Sequence, residues 1–93
     1  MLRLKQSTRF KKDLKRELRK PDRDSIIRSL AFVTDLLQKQ MVLPDKYHVH
    51  RLKGKYVGYL ECHVRPDLLL IYFVSDERVL ELVRLGSHSE LFK

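Results

Sequence analysis

The 93-residue chain contains one cysteine, Cys62, so no internal disulfide can close and no second thiol is present to help hold a metal. A lone thiol fits a reducing, cytoplasmic setting. No uncharged apolar run is longer than Leu68–Val74, far short of the roughly 20 residues a membrane-spanning helix needs. The first ten residues hold no apolar segment of the secretory kind, because Arg3, Lys5 and Arg9 interrupt them. Glycine-rich phosphate loops are absent, which argues against nucleotide hydrolysis. Internal repeats and low-complexity linkers are absent too, and the length suits one domain over residues 1–93.

What the chain has is a modest apolar content, 43%, enough for one core, and a formal net charge of +8. That charge is concentrated. Residues 1–20 hold nine Lys or Arg against Asp13 and Glu17, while the rest is nearly balanced. Such a block suits a polyanionic partner bound in a salt-sensitive way. It equally suits a solvated helix face.

Leu2 and Leu4 alternate with Arg3 and Lys5, as in a short strand. Ser7 or Thr8 then caps a helix carrying Phe10, Leu14 and Leu18 on one stripe. Pro21-Asp22 ends it, and Asp22 or Asp24 starts a second helix with Ile26, Leu30, Val33 and Leu37, joined by Ile27 and Leu36, on its apolar face. Val42–Tyr47 reads as a loop. From His48 onward the pattern is of strands: one around His50–Leu52, one alternating over Tyr56–Val64, the apolar Leu68–Val74 covered on both faces, and Val79–Leu85 with Arg84 on the side of Leu80 and Leu82. Ser87-His88-Ser89-Glu90 reads as a capping box opening a terminal turn. The expected fold is α+β: an N-terminal strand and α-helical hairpin packed on an antiparallel β-sheet.

His50, His63, Asp67, Arg84 and His88 all fall at strand ends or in adjoining loops, where a rigid sheet can aim them at a common site. Singly, each has an ordinary reading: a structural histidine, a turn-forming Asp67, an Arg84 in a salt bridge with Glu61 as the candidate partner. A zinc site is disfavoured, since no HxxxH or HxH pair forms within the set and Arg84 would repel a dication. His48 makes an HxH with His50 but reads as incidental. Jointly, the set fits metal-independent RNA cleavage. Imidazoles take and give protons near neutrality, a carboxylate fixes a tautomer or accepts a proton, and a guanidinium matches phosphate oxygens. RNA supplies its own 2′-OH nucleophile, so no Ser or Cys is needed. Cys62 points away from His63, which argues against a Cys–His pair.

The run His50-x-Leu-x-Gly54-x-x-x-Gly58-x-x-x-x-His63-x-x-x-Asp67, then Leu70-Ile71-Tyr72, then Arg84-x-Gly86-x-His88-x-x-Leu91-Phe92 resembles the YafQ-like mRNA interferases of the RelE/ParE toxin superfamily. The resemblance implies a RelE-like fold, cleavage of mRNA in the ribosomal A site without a cofactor, and inhibition by an acidic, DinJ-like antitoxin. It further implies acid–base and positioning roles for His50, His63, Asp67 and His88, a phosphate clamp in Arg84, and a base-stacking ring in Phe92. The basic helix, through Lys11, Lys12, Lys15, Arg16 and Arg19, is assigned to ribosomal RNA on charge alone. Two positions depart from the family pattern. Leu68 stands where a tryptophan is usual, which removes a stacking surface and bears on codon preference. Val49 stands where an acidic residue is frequent. Neither removes a proton-transfer group. Other functions open to the fold are a non-catalytic, ParE-like gyrase inhibitor, which generally lacks the histidine cluster, and a plain RNA-binding module.

Overall fold

The computed structural model describes residues 1–92. Strand β1 (Arg3–Gln6) leads into helices α1 (Thr8–Glu17) and α2 (Arg23–Gln38), followed by strands β2 (His50–Arg51), β3 (Leu60–Arg65), β4 (Leu68–Val74) and β5 (Val79–Gly86) and the short helix α3 (His88–Leu91). The sheet order is β1-β5-β4-β3-β2. Strands β2 to β5 are antiparallel as expected, but β1 lies parallel to β5, so the sheet is mixed.

Helix α1 begins where expected, with the Ser7 hydroxyl accepting from the Phe10 amide. At the start of α2, Asp22 makes no capping bond and instead approaches Arg65. Phe10, Ile26 and Val33 pack with Leu70, Tyr72, Leu80, Leu82 and Leu85 in a core between helices and sheet, although Ile27 is left exposed. No helix among the described residues is long and apolar enough to cross a membrane.

Two expectations change on the sheet. The alternation over Tyr56–Val64 does not make one strand: Gly54–Tyr56 forms a single 3-10 turn, Gly58 takes φ 95°, and β3 starts only at Leu60. A positive φ costs glycine almost nothing, so the chain bends there and carries Tyr56 out of the sheet. In β5, Tyr72 pairs with Leu82 but Ile71 pairs with Arg84, so Val83 is a bulge. The extra residue reverses the alternation. Arg84 therefore shares a face with Ile71, opposite Leu80 and Leu82.

That second face carries a smaller core of Tyr56, Leu69, Ile71 and Leu91, with Phe92, Val83 and Tyr59 against it. Register partners on adjacent strands share a face. His50, Glu61, Ile71 and Arg84 thus form one cross-strand row on it, and His63, Leu69 and Gly86 form another.

Candidate active site

The rows explain how residues distant in sequence meet. His63, Asp67 and His88 line one open cleft of about 370 Å³, with Glu61, Leu69 and Ser87 completing its walls. Strand β3 delivers Glu61 and His63, the turn after it delivers Asp67, and α3 delivers His88. The capping box of α3 is present in full: Ser87 Oγ accepts from the Glu90 amide, and Glu90 Oε1 accepts from the Ser87 amide at 2.8 Å. Those bonds hold the Glu90 carboxyl below the ordinary carboxylate range, the Ser87 backbone bond being the largest cause. His88 is exposed at the mouth, its ring 4.9 Å from that of Phe92.

His50 joins the group through Glu61. Its Nε2 lies 3.1 Å from Glu61 Oε1, and its Nδ1 lies 2.9 Å from the His48 carbonyl. A carbonyl only accepts, so the Nδ1 contact is a hydrogen bond in the tautomer that carries its hydrogen on Nδ1. Glu61 is buried and its Oε2 has no partner, which leaves an acceptor free beside the cleft. In the sequence Glu61 carries no mark of a site residue, because it reads as the polar half of an ordinary strand alternation. His48, incidental in the sequence, takes a place here. That ring stands edge-on to His63 at 5.1 Å, and its carbonyl orients His50.

Arg84 is placed differently from the open clamp expected of it. It does not line the cleft, and its side chain is 9% exposed. Its Nε and Nη2 donate to Asp13 at 2.7 and 3.2 Å, and Nη1 donates to the Tyr56 hydroxyl at 3.2 Å. The salt bridge is with Asp13, not Glu61. The Asp13 bonds raise the guanidinium pKa further, against burial. The bulge turns Arg84 onto this face, and Asp13 of α1 reaches over the strand edge to meet it. From there Tyr56 stacks edge-to-face on Phe92 at 5.9 Å, which touches His88. Arg84 thus supports the site through Tyr56 and Phe92.

Leu68 is 4% exposed and belongs to the core beneath the helices. It offers no surface for stacking. Cys62 is likewise in that core, on the face opposite His63, and burial pushes its thiol up to about 12.

Of the basic residues of the N-terminal block, Lys11, Lys12, Lys15 and Arg19 are exposed. Arg16 departs from them: it pairs with Asp13, Glu17 and Glu90 and donates to the Leu85 carbonyl at 2.7 Å. Its charge holds α1 against β5 and α3, so it is no free cation for RNA. Among the described residues, no group of three or more His, Cys, Asp and Glu side chains is arranged to hold a metal ion.

The family described as "Bacterial toxin of type II toxin-antitoxin system, YafQ" matches residues 2–93. The mRNA interferase toxin YafQ of Escherichia coli strain B / BL21-DE3 is 34% identical over 86 residues, 92% of this chain and 90% of that one. A metal-bound toxin from Helicobacter pylori is similar in structure at a TM-score of 0.88 and 42% identity, over 99% of this chain and 100% of that one. The toxin fold in the E. coli DinJ–YafQ complex is similar at a TM-score of 0.82 and 31% identity, over the whole of both chains. With the fold shared with solved relatives and the family matching residues 2–93, the chain belongs to the YafQ family of bacterial toxins of type II toxin–antitoxin systems.

Proposed function

We propose that this toxin is an mRNA interferase: an endoribonuclease that cuts mRNA in the ribosomal A site and is held inactive by an acidic antitoxin. The observation that carries this reading is the cleft shared by His63, Asp67, His88 and Glu61, with His50 Nε2 3.1 Å from Glu61 Oε1. In the reaction a base removes the 2′-OH proton, the 2′-oxygen bonds to the adjacent phosphorus, and the bond to the 5′-oxygen breaks. An acid protonates that oxygen. The products are a 2′,3′-cyclic phosphate and a 5′-OH, and no redox partner is needed. The cleft offers both base and acid. His63 sits between acid and imidazole neighbours, and His88 lies at the open mouth beside Phe92, whose ring can hold a base. Beside His50, Glu61 keeps one carboxylate oxygen, Oε2, without a partner. Positioned general acids and bases each contribute about 10²–10⁴ in rate.

Arg84 acts here as a supporting charge. A direct clamp on phosphate requires exchange of Asp13 for the phosphate. The relatives named as mRNA interferase and as a DinJ complex support the substrate and the antitoxin partner.

The test is growth arrest on induction. Wild type should arrest growth and be relieved by its antitoxin. His63→Ala and His88→Ala, each confirmed folded by circular dichroism, should not arrest. Arrest undiminished in both variants would point instead to a binding poison of the gyrase-inhibitor kind.

A further inference from the structure

A second cleft lies on the far side of His63. It has a volume of about 550 Å³ and is lined by Ser29, Lys46, Tyr47, His48, His63 and Arg65 among others, none of them a carboxylate. The first cleft, by contrast, contains Glu61 and Asp67 and no Lys or Arg. The two meet at His63 and Pro66. This division has a consequence for a polyanion. A cleft of carboxylates and imidazoles suits proton transfer but repels a phosphodiester, and Arg84 is neutralised by Asp13. The attraction that holds the strand must come from cations beside the reacting group.

Lys46 and Arg65 stand in that position. The Lys46 ammonium sits 5.3 Å over the Tyr47 ring at the cleft wall. Arg65 lines the same cleft, and its Nη1 pairs with Asp22 Oδ2 at 3.0 Å, outside hydrogen-bond geometry. His48 holds a left-handed backbone (φ 48°, ψ 52°) that places an exposed ring beside His63. Left-handed non-glycine residues gather at functional sites, and histidine tolerates the conformation better than most.

We propose that this cleft is a nucleotide subsite for the RNA residue adjoining the scissile phosphate. Lys46 holds that residue's backbone phosphate, Arg65 adds to it by exchanging Asp22 for the phosphate, and the His48 ring stacks on its base. The assignment rests on the nuclease reading above and adds the path of the strand through the site.

Binding of a fully 2′-O-methylated octaribonucleotide, which cannot be cleaved through its 2′-oxygens, tests it by fluorescence anisotropy with the full chain. Lys46→Ala should weaken binding about fivefold at low salt and lower the slope of log K against log salt by about 0.7. Placing an abasic residue at each position in turn should reveal one that costs wild type about tenfold. His48→Asn, which suits left-handed backbone, should bind that abasic oligonucleotide and the intact one alike. Wild-type affinity, salt slope and abasic discrimination in both variants would overturn the subsite. So would an effect of Lys46→Ala on antitoxin binding alone, which would make the cleft a protein contact. Cleavage of mRNA by wild type in a translation extract is read separately. Cleavage with unchanged oligonucleotide binding sinks the subsite and spares the nuclease. No cleavage sinks both.

Discussion

Asp13 lies in the middle of the most basic stretch of the chain, yet it is 4% exposed, and four donors explain its burial. Arg84 supplies two, the Leu85 amide one and Arg16 one. Burial opposes ionisation, but the Arg84 bonds, the Leu85 amide and the two guanidinium charges outweigh it, so the carboxyl is held below its ordinary value of 3.8. A depressed pKa contributes stability that is present above the unfolded value and lost as pH falls through the folded one. Wild type should therefore lose stability below about pH 3.8, and Asp13→Asn should show a flatter acid limb in urea titrations. Asp13→Ala strands a buried guanidinium and should cost about 3–5 kcal/mol. It should also weaken catalysis, by freeing Tyr56 and Phe92 from their places beside His88. None of this was legible in the sequence. Asp13 looked like a stray acid in a charge block, because a polar contact across 71 residues leaves no periodic mark. His63, Asp67 and His88 were legible, since turn and strand-end positions follow from Pro66, the apolar run and the capping box.

At the scale of elements, the end of β5 decides where the site forms. Strand β1 stops pairing at Leu82, and the exposed edge beyond it is satisfied by side chains of α1 and its cap. The Ser7 hydroxyl donates to the Val83 carbonyl, Asp13 accepts from the Leu85 amide, and Arg16 donates to the Leu85 carbonyl. Ser7→Ala removes both the helix cap and an edge bond. It should lower stability by about 1–2 kcal/mol in chemical denaturation. Gly86 leaves room for this arrangement: a Cβ there would meet Arg16 Nη2 at 2.7 Å and Leu91 at 3.2 Å. Gly86→Ala should thus loosen α3 and raise hydrogen exchange at the Glu90 and Leu91 amides. Hydrophobic periodicity was sufficient to find the helices and the central strand. It missed the bulge at Val83 and the turn at Gly54–Tyr56, because both are set by local backbone geometry that apolar spacing does not encode. Leu68 shows the same limit. Its departure from the family's tryptophan looked like a change at the RNA surface, but the side chain fills the core. Leu68→Ala should cost about 2–5 kcal/mol and leave the pattern of cleaved codons unchanged, as primer extension on cut messages would read.

For the whole molecule, charge and chemistry occupy separate surfaces. The helical hairpin covers one face of the sheet and bears the exposed cations of α1, while the proton-transfer groups stand on the other. Composition alone revealed the excess of positive charge but not that Arg16 is consumed in holding the hairpin to the sheet. The remaining cations, Lys11, Lys12, Lys15 and Arg19, should make antitoxin binding weaken with salt, and replacing them together by Gln should flatten that dependence in calorimetric titrations.

The chemistry of the cut ends tests the account most directly. RNA cleaved by wild type in the presence of EDTA should carry 2′,3′-cyclic phosphate or 3′-phosphate and 5′-hydroxyl ends, and the cuts should disappear with His63→Ala and His88→Ala. Recovery of 5′-phosphate ends, or cleavage abolished by EDTA and restored by zinc, would contradict it.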